Sequence, residues 1–200
     1  MTLDATIRAV QSKIGVAVDG NPGPQTWAAI HRAVVGDAPS AAIGKLADER
    51  SERAIVTLLP EVQPLARALV ESAATIGIAI KVISGTRTYD EQNALYEQGR
   101  TKPGRIVTNA RGGYSNHNFG IAFDIGVFEG GRYLNESPAY KAVGAMGMKL
   151  GLEWGGNWRT MTDEPHFQLR PSWAREMSER DMLAELRRRN SQNLPVFIYL

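Results

Sequence analysis

Three short runs with strand character, scattered between helical segments of unequal length, set the strongest limit on how this chain folds. Ile78 to Ser84 alternates apolar Ile78, Ile80 and Val82 with smaller or charged residues, and its β-branched content favours an extended strand. Ile121 to Val127 and His166 to Leu169 read as two further strands. Around them, Ile43 to Leu59 and Glu61 to Ile76 have helical period, with Pro60 as the breaker between them. In the second of these helices Val62, Leu65, Ala66, Leu69, Val70 and Ala73 make the buried stripe. Thr88 with Glu91 three residues on is a capping box that starts a helix running through Gln98, and Ser137 to Leu150 is another helix. Strands interspersed in this way predict an α+β domain with a small antiparallel sheet flanked by helices.

The 200 residues allow one main core plus a small appended module. Residues 1–36 form that module, with apolar Leu3, Ile7, Val10 and Ile14 on one helix and Trp27, Ile30 and Val34 on a second. Residues 37–44 are small, polar and unpatterned, and read as a linker. The main domain then spans 45–172, and 173–200 form a charged C-terminal helix and tail closing with Arg187, Arg188 and Arg189. Such a charge run is usually a solvated face, with contact to an anionic membrane surface as the other reading.

Composition removes several classes of function. The chain has no cysteine, so disulfides, thiol nucleophiles and cysteine-ligated zinc are excluded, and a metal site must be built from His, Asp and Glu. A net charge of +2 spread over scattered Lys and Arg is too weak a bias to argue nucleic-acid binding. No apolar run is long enough to span a bilayer, and Met1-Thr2-Leu3-Asp4 lacks the pattern of a secretory signal. The expectation is a monomer without stable membrane insertion, made in the cytosol.

The stretch from Arg100 to Asn118 is long, glycine-rich and without period, which in a compact domain marks function or disorder. Two of the three histidines fall in irregular parts of this kind, each close to carboxylates. His117 and Asp124 stand seven residues apart, and His166 follows Asp163-Glu164-Pro165. Two imidazoles and a carboxylate make a catalytic metal set with an open fourth position. Seven is an odd spacing, so His117 and Asp124 would face opposite sides of one unbroken strand; a bend is needed, and Gly120 is where the backbone can supply it. Spacing alone serves equally well a His117 that decorates a loop and an Asp124 that caps or turns a strand. His31, inside the second helix of the small module, reads as structural.

Ser84-Gly85-Thr86-Arg87-Thr88, Ser115-Asn116-His117 through Asp124, and Asp163-Glu164-Pro165-His166-Phe167 together resemble the M15 family of peptidoglycan metallopeptidases. Gln92 to Tyr96, Gly99 to Gly104 and Trp154-Gly155-Gly156-Asn157-Trp158 are similar to its L-alanyl-D-glutamate endopeptidase branch, which includes many phage endolysins. The resemblance covers roughly residues 60 to 170. It implies a small α+β fold shared with D-Ala-D-Ala carboxypeptidases and the hedgehog signalling domain. It also implies Zn2+ held by His117, Asp124 and His166, with Asp163 as general base and Glu164 as its competitor. By the same resemblance Arg87 lies beside the scissile carbonyl, and Ser115 and Gln92 touch substrate or support the ligands. Trp154 and Trp158 either wall a substrate cleft or belong to the core. The implied reaction is hydrolysis of the wall stem peptide by metal-activated water, with a carboxypeptidase or remodelling hydrolase on the same site as the alternative, and a non-catalytic wall binder as the second. Bacterial peptidoglycan is the implied partner.

In the small module, Val18-Asp19-Gly20 followed by Gly23-Pro24-Gln25-Thr26-Trp27 looks like the signature of peptidoglycan-binding modules. Asp19, Gly20 and Trp27 are the residues that carry it, and a plain helical hairpin is the other reading.

Overall fold

The fold comes from a computed structural model, which describes residues 2–20, 26, 30 and 48–198 and divides the chain into two units, Met1–Lys45 and Leu46–Leu200. In the first unit, α1 (Leu3–Ile14) is opened by the Thr2 hydroxyl, which accepts from the Ala5 amide, and closed by Gly15 in the left-handed region at φ 74°. Gln11 is fully buried there. Its amide donates to Asp19 Oδ1 at 2.6 Å and to Thr26 Oγ1 at 3.1 Å, while its carbonyl accepts from the Gly20 amide at 2.8 Å. Trp27, His31 and the expected linker at 37–44 lie outside the described residues.

In the second unit, α2 (Glu49–Ile55) begins at Asp48, whose side chain accepts from the amides of Arg50 and Ser51. Next, α3 (Gln63–Thr75) places a proline in its first turn, where no amide hydrogen is needed. Its stripe of Ala66, Leu69, Val70 and Ala73 is buried. Strand β1 (Ala79–Ser84) then leads to α4 (Tyr89–Glu97), which carries the reciprocal Thr88–Glu91 capping box. After the irregular stretch, a 3-10 turn at Asn116–Phe119 precedes β2 (Ala122–Glu129) and β3 (Arg132–Leu134). The remaining elements are α5 (Ala139–Lys149), β4 (Glu153–Trp154), β5 (His166–Gln168) and α6 (Glu179–Ser191).

The strands form one antiparallel sheet in the order β1-β2-β5-β4, with β3 also paired to β2. This is the α+β class expected from the pattern of elements. Alternation along the strands sorts the sheet into two faces. Ile80, Val82, Phe123, Ile125, Val127, Trp154 and Phe167 join α3 and α5 in the main core. Helix α5 lies very close to this face because it presents glycine there. A methyl at Gly144 would meet the Trp154 ring at 2.4 Å, and one at Gly147 would meet Phe167 at 2.4 Å. A second, smaller cluster packs Met182, Leu183 and Leu186 of α6 against Phe119, Ile121 and Ala174.

Candidate metal centre

Asp124 of β2 lies directly opposite His166 of β5, and both therefore project from the face that the main core does not cover. On the other side of β2, the pairing of β1 steps by one residue between Val82 and Ser84. Continued register would set Ser84 opposite Phe123; the bulge sets it opposite Asp124 instead and turns its side chain to the open face. His117 comes from the 3-10 turn, and the chain bends into β2 through Gly120 at φ 69°. The bend anticipated from the odd spacing is thus present at Gly120. The Gly120 carbonyl accepts from the Leu59 amide at 3.0 Å, and the His117 carbonyl accepts from the Arg87 amide at 3.0 Å.

Three atoms converge as a result. His117 Nε2 stands 3.2 Å from Asp124 Oδ1, His166 Nδ1 stands 3.3 Å from the same oxygen, and the two ring nitrogens are 3.3 Å apart. Each imidazole has its other nitrogen engaged. His117 Nδ1 donates to the Gly85 carbonyl at 2.8 Å, and His166 Nε2 donates to Gln168 Oε1 at 2.9 Å. The tautomers assigned by these partners leave both converging nitrogens with a lone pair. The two imidazoles are almost fully buried, and Asp124 is partly so. Burial by itself would raise the Asp124 carboxyl, but the positive charge of His117 and His166 when protonated, together with the hydrogen bonds those rings then donate, outweighs it and holds the carboxyl well below the ordinary aspartate value. Once both rings are deprotonated, two imidazoles and one carboxylate converging on one open position are a donor set suited to a metal ion.

Arg87 fans out over this group. Its Nη2 donates to Asp124 Oδ2 at 2.7 Å, its Nε to Ser84 Oγ at 3.1 Å and its Nη1 to Gln92 Oε1 at 3.0 Å. The guanidinium is therefore aimed at the Asp124 carboxylate, where it leaves Oδ1 as the converging atom. Gln92 is fully buried and also donates to Thr108 Oγ1 and to the Ala110 carbonyl. It orients Arg87 rather than facing the open position. Ser115 precedes the 3-10 turn, and its carbonyl accepts from the Asn118 amide.

Asp163 opens the turn that delivers His166, its carbonyl accepting from the His166 amide at 3.1 Å. Burial and then the Asp124 charge push its carboxyl above the ordinary value, while both imidazoles and Arg87 act on it in the opposite sense. Asp163 thus shares the electrostatic environment of the converging group. Glu164 offers its carbonyl to the Trp154 indole at 2.7 Å, and its charge acts on Tyr140 of α5. The two tryptophans part company. Trp154 pairs with Phe167 in the sheet and faces the core, so it does not wall a cleft. Trp158 is 36% exposed, with its ring centroid 4.8 Å from that of His166. In the first unit, Asp19 and Gly20 are tied to Gln11, and a methyl at Gly20 would strike Asp4 Oδ1 at 2.4 Å.

The sequence reading missed the polar residues behind His166: Gln168, Asn116, Glu153, Arg170 and Glu179, which are hydrogen-bonded to one another. The signal available for two of them was strand alternation, which puts Gln168 on the same face as His166 and Glu153 opposite Gln168.

Residues 108–169 match the peptidase M15 model described as D-alanyl-D-alanine carboxypeptidase. The peptidoglycan L-alanyl-D-glutamate endopeptidase CwlK of Bacillus subtilis (strain 168) is 39% identical over 127 residues, covering 58% of this chain and 75% of that protein. The L-alanyl-D-glutamate peptidase of Listeria phage A118 is 28% identical over 124 residues, 60% of this chain and 40% of that one. Among solved structures, the Serratia marcescens L-Ala D-Glu endopeptidase ChiX aligns at a TM-score of 0.45 and 21% identity, covering 60% of this chain and 86% of that chain. The match to the Bacillus enzyme extends over three quarters of its length, and the matched M15 segment 108–169 contains the converging His117, Asp124 and His166, so the chain belongs to the M15 family of metallopeptidases.

Proposed function

We propose that the protein is a zinc-dependent endopeptidase of bacterial peptidoglycan that cuts the stem peptide between L-Ala and D-Glu. The observation that carries the metal assignment is the triangle of 3.2 and 3.3 Å edges made by His117 Nε2, Asp124 Oδ1 and His166 Nδ1. Ligands held tetrahedrally at about 2.0–2.1 Å from zinc stand about 3.3–3.4 Å apart, so the donor set fits that ion. The choice of bond rests on the 39% identity to the Bacillus endopeptidase; the family model's carboxypeptidase description keeps release of terminal D-Ala as the second reading.

Bound zinc would supply Lewis acidity at the scissile carbonyl and bring the pKa of water down to roughly 7. The protein's own residues do the rest. Asp163, three residues before His166, takes the proton of the attacking water and passes it to the leaving amine. Its raised carboxyl pKa moves it toward the range where a carboxylate can do both. Arg87 neutralises the outer oxygen of Asp124 and keeps the inner one pointed at the metal position. Trp158 covers one side of His166 with an apolar wall that limits water and gives a peptide a surface to lie on.

Purified protein should contain zinc at about one per chain, lose wall-digesting activity to EDTA and regain it with added zinc. Mass spectrometry of digested muropeptides then reads the bond. New amino termini at D-Glu support the endopeptidase, whereas release of D-Ala alone replaces it with the carboxypeptidase. Binding to cell wall with no cleavage by the zinc-loaded protein would reduce it to a wall-binding protein. The Val18-Asp19-Gly20 turn carries the proposal that residues 1–36 attach the protein to wall.

A further inference from the structure

The histidine that shares a strand with Gln168 has two possible neutral tautomers, and only one leaves Nδ1 bare for a metal. Gln168 Oε1 faces His166 Nε2 at 2.9 Å, and an amide alone does not fix that choice, because its two ends are nearly the same shape and interchange by rotation. Its other end settles the matter. Gln168 Nε2 meets Glu153 Oε2 at 2.7 Å, and a carboxylate only accepts. The NH2 group must therefore point at Glu153 and the carbonyl at His166, and the proton must sit on Nε2. A second amide reinforces the choice. Asn116 Nδ2 donates both to Gln168 Oε1, at 2.6 Å, and to the carboxylate of Glu179 at the start of α6. Asn116 Oδ1 is meanwhile buried without a hydrogen-bond partner. Turned over, that amide would gain nothing, since its oxygen would then face two acceptors. Arg170 holds both carboxylates, donating from Nε to Glu153 and from Nη2 to Glu179 at 2.8 Å.

We infer that Glu153 and Gln168 are positioning residues that set the tautomer of His166, with Arg170 and Glu179 of α6 fixing the direction of the relay. The inference rests on the reading of His166 as a metal ligand. His117 is set the opposite way, by a backbone carbonyl, so the two histidines should hold opposite tautomers.

Long-range 1H–15N correlation spectra of the metal-free wild-type protein, recorded where the imidazoles are neutral, test this directly. His166 should carry its proton on Nε2 and His117 on Nδ1; a His166 protonated mainly on Nδ1 overturns the relay. Glu153→Gln keeps the shape but lets residue 153 face Gln168 with either end. It should give His166 in mixed tautomers, lower zinc affinity in chelator competition by about 10–100-fold, and alter the visible spectrum of the cobalt-substituted protein, with His117 unchanged. Gln168→Met, which removes the acceptor, should lose metal to the same extent. Wild-type tautomer and zinc affinity in both variants would sink the proposal. A wild-type protein that binds no zinc defeats the ligand reading instead, and the tautomer measurement on metal-free protein still decides the relay.

Discussion

Burial and the neighbouring Asp124 charge raise the Asp163 carboxyl above the ordinary value of 3.8. Below that value Asp163 is protonated in folded and unfolded chains alike, and the shift has no effect on stability. As pH rises through the raised value, the folded state ionises it at a cost, and stability is lost relative to a chain without the charge. Asp163→Asn in the metal-free protein should therefore raise Tm at neutral pH, with the gain disappearing in acid; a Tm change that ignores pH contradicts the assignment. The same variant should retain zinc yet lose about a hundredfold or more in turnover. The tryptophans give a second contrast. Trp154→Ala empties a core position and should cost about 3–5 kcal/mol in denaturant unfolding. Trp158→Ala, at a half-open site, should leave unfolding almost unchanged and weaken KM for wall peptides.

Two departures from regular geometry place the site, and both are properties of elements. Gly120 lets the 3-10 turn fold back on β2, and the bulge after Val82 swings Ser84 and then Arg87 onto the face of Asp124. Gly120→Ala would force an L side chain to φ 69° and bring its methyl to 3.0 Å from Leu59 Cγ. That substitution should cost about 1–2 kcal/mol of stability and weaken zinc binding through His117, as thermal melts and chelator competition would show. The bend was legible because an odd spacing between two ligands demands one. The bulge was not: Ile83 breaks the alternation of Ile78, Ile80 and Val82, but one out-of-phase residue at a strand end does not distinguish a bulge from the end of the strand. Long periodic helices such as α3 were readable from their buried stripe, and α4 from Thr88 and Glu91. The short β3 and β4 were not: two or three residues carry no period. Trp154 and Trp158 look alike in sequence, and only the pairing of β4 with β5 shows which one faces the core. The metal triangle needed three remote segments to meet, and for that the spacing was even-handed until the family motifs were set beside it.

The chain separates into two compact units, and within Leu46–Leu200 one sheet has a core face and a face that carries the converging residues. Deleting residues 1–45 should leave cleavage of small soluble muropeptides intact and reduce adsorption to intact cell walls in a pull-down; equal adsorption removes the wall-binding proposal for that unit. Among the described residues no helix is long and apolar enough to cross a membrane. Helix α6 is part of the second unit's packing, so Leu186→Ala should cost about 2–5 kcal/mol despite its place near the end of the chain. The glycines of α5 carry a consequence for how this protein fails. Gly147 touches Phe167, whose chain neighbours are His166 and Gln168, so a single methyl added behind the sheet pushes on a ligand and on its tautomer relay at once. Loss-of-function alleles should accordingly map to both sides of the sheet, and those from the rear should weaken metal binding with every proposed ligand still encoded.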